Sequence, residues 1–230
     1  MNVHTKLKFE DISEIHSREN VVFDRCHFKS SFYDKTKSYS PSERIEYKNV
    51  TFKKCKLDGG WEGTVFNNVT FDNCKFSFNT FFNTVVFVNC TFIGKFTGTI
   101  SNLPVKYMEH NINHKLNVDA IEENTKFYQT VDWAIDISKA DFGDVYFNNV
   151  PAEKIIADAS QIDCIKLDLN KLKILNTNDL NKEVGFYIQH YIESCVFNPI
   201  FITSKRLKGY KKDLEKISTY KSLKIELIEP

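Results

Sequence analysis

The stretch NNVTFDNCKFSFNTFF, residues 67–82, contains Phe71, Phe76 and Phe81, and Phe66 stands just upstream of it. These four aromatic residues recur at an interval of five. In an α-helix, five residues turn the chain by about 500°, so successive aromatics would point in different directions. In a straight β-strand, side chains alternate between two faces, so a step of five would change face each time. The interval instead predicts a chain that turns a corner every five residues and directs each aromatic towards a common axis.

The same interval organises two blocks of the chain. In the first block, four segments share the order small apolar residue, spacer, Phe, two further residues, Cys, spacer, and Phe or Leu. These segments are VVFDRCHF (21–28), VTFKKCKL (50–57), VTFDNCKF (69–76) and VVFVNCTF (85–92). In the second block, an apolar residue centres every five-residue unit from Ile137 to Leu172. Self-similarity at a fixed period is the sequence signature of a solenoid.

The centre of each unit and the residue two places before it are expected to point inward, where stacked turns bury them in ladders. Burial of each Phe is worth about 1.5–3 kcal/mol, a driving force that takes the place of a globular core. The predicted ladder residues are Phe52, Phe66, Phe71, Phe76, Phe81, Phe92, Phe142, Phe147, Ile162, Leu167 and Leu172, with Cys55, Cys74 and Cys90 in the preceding inward position.

The repeat resembles that of the pentapeptide-repeat proteins, whose unit is commonly written A(D/N)LXX with Leu or Phe at the centre. ADFGD (140–144) is a close match, and VTFKK, CKLDG, VTFDN, CKFSF and CTFIG are looser ones. The resemblance covers residues 21–33, 47–92 and 137–172. It implies an all-β solenoid, namely a right-handed quadrilateral β-helix with four five-residue sides per coil and about four to six coils.

The repeat also predicts a division of the chain into two parts. We expect the β-helix to occupy residues 1–175, with an irregular insertion at about 97–125, where only fragments of the period remain. In the C-terminal segment, residues 176–230, apolar residues recur at steps of three and four from Leu207 to Leu223, as in an amphipathic helix. Because the open end of a solenoid has to be covered, we expect this segment to be a cap or a contact in a homodimer.

Composition predicts a soluble cytoplasmic protein. The chain contains no run of about 18 apolar residues, and its opening MNVHTKLKFEDIS lacks an apolar signal region, so no membrane association is expected. The six cysteines include no CxxC pair, which favours reduced thiols in a cytosol over a disulfide framework.

The sequence offers little for catalysis or cofactor binding. It contains no GxSxG, HExxH, Walker A or GxGxxG motif. His110 and His114 are four residues apart without a third ligand, and the repeat cysteines are expected to fill a ladder rather than bind zinc. Asp58, followed by two glycines, is expected to shape a corner. We therefore expect a protein that is not an enzyme and has no metal or cofactor.

Charge is unevenly distributed, although the net charge is only +1. Residues 118–170 hold eleven Asp/Glu against four Lys/Arg, whereas residues 204–230 hold eight Lys/Arg against four Asp/Glu. The simplest interpretation of both runs is a solvated outer face. The acidic coils nonetheless offer contacts for a basic partner, and Lys53 and Lys54 on earlier coils are expected to contribute little. The candidate partner-binding residues are Asp141, Asp144, Asp158 and Asp163.

Three functions stay open at this point. The favoured one is a non-enzymatic protein that binds another protein through a rigid surface, in a protective or immunity-like role. The second follows from the resemblance, since some pentapeptide-repeat proteins resemble duplex DNA in width and charge and bind DNA gyrase, a type II topoisomerase. The mildly basic first 60 residues, with twelve Lys/Arg and nine Asp/Glu, argue against such mimicry. The third is an enzyme with an unrecognised site. Direct nucleic-acid binding by the basic tail is not expected, because no aromatic residues are interleaved on its charged face.

Overall fold

Short β-strands predominate in the computed structural model. It describes residues 2–10, 15, 18–30, 44–61, 63–77, 80–82, 85–97, 100–101, 122–142, 145, 147, 150–166, 169–175, 185, 188–189, 192, 200–205 and 218. The strands are, in chain order, β1 (Asn2–Thr5), β2 (Lys8–Phe9), β3 (Val21–Asp24), β4 (His27–Ser30), β5 (Ile45–Lys48), β6 (Thr51–Lys53), β7 (Lys56–Gly59), β8 (Thr64–Asn67), β9 (Thr70–Asp72), β10 (Lys75–Phe76), β11 (Thr80–Phe81), β12 (Val86–Val88), β13 (Cys90–Lys95), β14 (Ile100–Ser101), β15 (Ile135–Asp141), β16 (Ile155–Ile156), β17 (Ile162–Lys166) and β18 (Ile200–Ser204). The helical elements are α1 (122–128), a 3-10 helix (Ala152–Lys154) and α2 (Leu169–Lys173).

Parallel strands stack into four sheets, which the chain visits in a regular order. Sheet 1 has the order β1-β3-β6-β9-β13-β15-β16, sheet 2 β2-β4-β7-β10, sheet 3 β5-β8-β12, and sheet 4 β11-β14. From β8 the chain passes from sheet 3 through sheets 1, 2 and 4 and returns to sheet 3 at β12. Phe52 pairs with Phe71 and Phe71 with Phe92, so successive turns take 19 and 21 residues. The protein is therefore mainly β, with parallel strands in stacked sheets, as expected of an all-β solenoid.

The interior is a stack of aromatic rings. In sheet 1, the ring of Phe71 stacks on Phe52 at a centroid distance of 5.4 Å and on Phe92 at 4.7 Å. In sheet 3, Phe66 stacks on Phe87 at 5.7 Å and meets the Phe71 ring edge to face at 5.3 Å. Parallel strands about 4.8 Å apart hold equivalent side chains above one another, which explains the stacking. Such ring contacts add to the free energy of apolar burial.

Most of the predicted ladder residues lie in this interior. The buried ones are Phe52, Phe66, Phe71, Phe76, Phe92, Phe142, Phe147, Ile162, Leu172, Cys55, Cys74 and Cys90. The side chain of Phe81 and the whole of Leu167 lie outside the described residues. Aromatic residues outside the predicted ladder are also buried, among them Trp61 and Phe82. Trp61 closes the short connection between β7 and β8, where its ring meets those of Phe52 and Phe66.

Asparagines with a left-handed backbone form the corner before sheet 1. Asn20, Asn49, Asn68 and Asn89 have φ between 51° and 54°. This conformation is strained for most residues, and Asn tolerates it better than other residues that carry a side chain. Nδ2 of Asn49 donates to Oδ1 of Asn20 at 3.0 Å, and Nδ2 of Asn68 donates to Oδ1 of Asn49 at 2.7 Å. We call this column the asparagine corner, because its amides tie successive turns together.

The parallel stacking stops before Leu172, where the repeat predicted that it would continue. Strand β17 pairs antiparallel with β18, and Leu172 is buried in α2 rather than in a strand. Ile202 of β18 belongs to the same buried cluster as Ile162 of β17. The C-terminal segment thus contributes a strand that its helical pattern did not predict. Residues 185, 188, 189 and 192 are helical. Residue 218, the one described residue of the amphipathic helix predicted from Leu207 to Leu223, is helical too.

Both ends of the predicted insertion at 97–125 belong to regular structure. Strand β14 pairs with β11, with Ile100 opposite Thr80. Helix α1 precedes β15, and Tyr128 at its end is buried. The Tyr128 hydroxyl accepts a hydrogen bond from the backbone N–H of Phe87 in β12 at 3.1 Å. Tyr128 therefore occupies the outer edge of β12, the last strand of sheet 3, where a further strand would otherwise pair. Residues 102–121 are outside the described part of the chain.

Candidate functional site

Of the four predicted acidic contacts, Asp141 and Asp158 have side chains that the structure describes. Asp141 ends β15, half-buried, in register with Lys95 of β13. Asp163 lies in β17 opposite Thr203 of β18, but its side chain is not among those described. Asp144 is outside the described residues altogether.

The fourth predicted contact, Asp158, is used within its own turn. Its carboxylate accepts hydrogen bonds from the backbone N–H of Ser160 at 2.9 Å, from Ser160 Oγ at 2.6 Å and from Gln161 Nε2 at 3.0 Å. Its carbonyl oxygen accepts from the backbone N–H groups of Gln161 and Ile162, both at 2.9 Å. An Asp that closes a turn in this way has its lone pairs occupied locally. The Asp158 carboxylate is therefore less available to a partner than the sequence suggested.

The corner between sheets 1 and 2 carries basic residues that the repeat did not predict. Lys6, Arg25, Lys54 and Asn73 occupy equivalent positions, with φ between 50° and 56°. Each donates its backbone N–H to a carbonyl of the neighbouring sheet 1 strand, which aligns the four in one column. The next position is Gly94, where a Cβ would come within 2.5 Å of the Asn73 amide group. All four side chains of the column are exposed, and we call this column the basic corner.

A second basic column runs along sheet 2. The register places Lys8 opposite His27, His27 opposite Lys56, and Lys56 opposite Lys75. Lys53, exposed at the end of β6, lies beside the corner. Since neighbouring strands are about 4.8 Å apart, both columns bring like charges close together. We call the Lys and Arg residues of these columns, together with Lys53, the basic edge; its members are Lys6, Lys8, Arg25, Lys53, Lys54, Lys56 and Lys75.

Carboxylates of the described residues neutralise only part of the basic edge. Three members form ion pairs, which are Arg25 with Asp24, Lys8 with Glu10, and Lys56 with Asp58. Lys6, Lys53, Lys54 and Lys75 have no carboxylate at salt-bridge distance within the described residues. Among the residues that the structure describes, positive charge therefore remains unpaired on the first turns of the solenoid, at the opposite end of the sequence from the basic tail.

Asp58 bridges two strands of sheet 2. Its Oδ2 lies 2.7 Å from Nε2 of His27 in β4 and 2.5 Å from Nζ of Lys56 in β7. Burial opposes ionisation of Asp58, but the hydrogen bonds from Lys56 and His27 outweigh it and hold the pKa of this carboxyl below its usual value. The carboxylate thus links two neighbouring turns of the solenoid.

The repeat cysteines lie in two ladders. Cys26, Cys55 and Cys74 follow the basic corner, whereas Cys90 follows the asparagine corner at the start of β13. The thiols of Cys55 and Cys74 each donate to a backbone carbonyl of the neighbouring turn at 3.1 Å. Burial raises the pKa of Cys74 and that of Cys90 to about 12. Neither is therefore a reactive thiolate near neutral pH.

The described residues contain neither a cluster of metal ligands nor a membrane-spanning helix. Among its residues, no three His, Cys, Asp or Glu side chains are grouped closely enough to hold a metal ion. His110 and His114 lie outside that set. No helix in the described ranges has both the length and the apolar composition needed to cross a membrane.

Comparisons with known proteins gave no match: no family model fits the sequence, and neither a curated protein nor a solved structure is significantly similar. The described residues form a parallel β-solenoid with an aromatic interior and charged outer columns. Those columns are the surface feature that bears on function.

Proposed function

We propose that this protein is non-enzymatic and binds another protein through the rigid outer surface of its solenoid, in a protective or immunity-like role. The observation that carries the proposal is the arrangement of charge, because aromatic rings fill the interior while charged side chains stand in register outside. A surface held by stacked sheets needs little ordering when a partner binds, so less free energy is lost on association. Columns of charge also speed the encounter and orient it.

The proposal includes a finer description of the fold. The chain is a pentapeptide-repeat protein, and its solenoid is a right-handed quadrilateral β-helix of about four to six coils. The five-residue spacing of the buried residues and the turns of 19 and 21 residues support this description. The protein acts in the cytoplasm without a cofactor.

The alternative is a DNA mimic that binds DNA gyrase or another type II topoisomerase. A mimic has to carry negative charge along its length, since duplex DNA has one charge per about 1.7 Å of axis. The basic edge instead places positive charge on the first turns. This observation favours binding of another kind of protein. Inhibition of purified gyrase by stoichiometric amounts of the protein would reverse that preference.

Affinity capture from the native host tests the proposed function. Folded protein serves as bait, urea-unfolded protein as the control, and captured proteins are identified by mass spectrometry. We expect a protein that is enriched on the folded bait alone and that binds again when both components are purified. The proposal fails if no captured protein binds the purified solenoid.

A further inference from the structure

We propose that the basic edge is the docking surface and that it receives an acidic protein segment, in which several Asp or Glu side chains occur close together. This inference rests on the proposed function. It goes further by naming the chemistry of the partner, and it moves the contact from the acidic coils around Asp141 to the first turns of the solenoid.

The backbone conformation at the basic corner is the first argument. Lys6, Arg25 and Lys54 have φ of 56°, 56° and 52°, a region that residues other than Gly and Asn rarely adopt. The asparagine corner has the same backbone conformation, and each of its described positions holds Asn. The long basic side chains are exposed, so they add nothing to the buried interior. Strained residues that do not serve packing indicate a role at the surface.

Charge complementarity is the second argument, because it makes the occupant an anion. The ammonium groups of Lys6, Lys53, Lys54 and Lys75 have no carboxylate partner in the described chain. Each turn of the solenoid repeats the corner after about 4.8 Å, so an extended segment that lies along the column meets one corner residue per turn. Acidic side chains on such a segment would supply the missing partners.

Two further features favour a protein segment over a nucleic acid. The phenylalanines inside the basic edge, Phe28, Phe52 and Phe71, are buried and offer no ring on which bases could stack. Asp24 and Asp72 stand among the cations and would repel an unbroken phosphate backbone. A protein segment can place an uncharged or basic residue opposite these two carboxylates.

Fluorescence anisotropy of a labelled oligoglutamate peptide with the full-length protein tests the inference. The variant Lys6→Glu/Lys54→Glu is expected to bind the peptide at least about tenfold more weakly than wild type, because each reversal removes an attraction and adds a repulsion. The matched control is Lys139→Glu/Lys173→Glu, which reverses two exposed lysines outside the basic edge. The control is expected to bind within about twofold of wild type. Circular dichroism checks that both variants fold. If Lys6→Glu/Lys54→Glu does not fold, Lys6→Gln/Lys54→Gln takes its place. This neutral variant is expected to bind the peptide about threefold more weakly than wild type.

A second readout locates the contact in unaltered protein. Carbodiimide couples carboxylates to nearby amines, so mass spectrometry of the cross-linked complex reports which lysines touch the peptide. We expect cross-links at Lys6, Lys53, Lys54 and Lys75. Equal cross-linking at Lys139 and Lys173, or an equal loss of affinity in the control variant, would overturn the inference.

Two more outcomes separate this inference from its alternatives. Duplex DNA of matched charge is measured in parallel, and tighter binding of DNA than of peptide, lost in the same variant, would overturn the choice of a protein segment. If a captured partner binds the basic-edge variant as well as wild type but not Asp141→Lys, the inference fails while the proposed function stands. If no captured protein binds the purified solenoid, the proposed function fails even where the peptide binds.

Discussion

At the scale of single residues, the inward position carries most of the stability. Phe71 is fully buried between Phe52 and Phe92. Phe71→Ala should lower the free energy of unfolding by about 3–5 kcal/mol, because it deletes the ring and leaves a cavity between two turns. Urea unfolding followed by circular dichroism measures the loss. Thr70→Ala, on the outer side of the same strand, is the control and should change stability by less than about 0.5 kcal/mol. Equal effects of the two changes would show that the five-residue register is misassigned.

The left-handed corners allow a second test at this scale. Lys54 has φ of 52°, which Asn adopts with less strain than Lys. Lys54→Asn should therefore raise the free energy of unfolding by up to about 1 kcal/mol. The reciprocal change, Asn49→Lys, should lower it by about 1–2 kcal/mol, since it also removes the side-chain hydrogen bonds with Asn20 and Asn68. Chemical denaturation compares the pair. A lower free energy of unfolding for Lys54→Asn would show that the left-handed backbone at Lys54 is not strained.

Thiol reactivity tests the burial of the cysteine ladder. Burial raises the pKa of Cys74 to about 12, whereas an exposed Cys titrates near 8.5. Only the thiolate reacts, so a raised pKa keeps Cys74 unreactive until the pH is well above 8.5. We expect Cys74 to stay unlabelled by a thiol reagent in folded protein from about pH 7 to pH 10 and to react once urea unfolds the chain. Mass spectrometry of the Cys74 peptide reads out the result, and rapid native labelling at pH 8 would contradict it.

At the scale of elements, α1 shows how the stack can end a sheet without another strand. The Tyr128 hydroxyl accepts the N–H of Phe87, which would otherwise be a buried donor without a partner. Tyr128→Phe should lower the free energy of unfolding by about 1–3 kcal/mol, because the ring stays while the N–H loses its acceptor. Thr130→Val is a control, since its hydroxyl bonds the Phe127 carbonyl in an exposed place. Thermal unfolding compares the two, and equal effects would mean that the hydroxyl does not secure the edge of sheet 3.

At the scale of the whole molecule, the period predicts the interior and little else. A five-residue register constrains every inward side chain, so the burial of Phe71 and Cys74 follows from spacing alone. Outward residues are free of that constraint, and the basic edge was missed for this reason. The sequence does contain a signal for the basic edge. The residue just before the inward Val or Cys of each repeat forms a corner, and this corner position holds Asn49 in one column but Lys54 in the other. The pairing of β17 with β18 joins distant segments, which leaves no periodic trace in either.

The pairing of β17 with β18 decides how the solenoid ends. Ile202 of β18 is buried with Ile162 of β17, so the C-terminal segment is held by the same interior that it covers. If the segment is a cap, wild-type protein is a monomer, and removal of residues 176–230 leaves the edge of β17 unpaired and free to associate. If it is instead a homodimer contact, wild type is a dimer and the truncated chain is a monomer.

We expect the cap. Light scattering coupled to size-exclusion chromatography should therefore show a monomeric full-length protein and a self-associating truncated one. Ile202→Ala tests the same interior without deletion and should lower the free energy of unfolding by about 2–5 kcal/mol. The control Lys205→Ala, at an exposed position just beyond β18, removes one hydrogen bond to the Ala159 carbonyl and should have the smaller effect. A dimeric wild type that becomes a stable monomer on truncation would instead show that the segment is a homodimer contact. Removal of an interface leaves the core of its own subunit covered, whereas removal of a cap exposes that core.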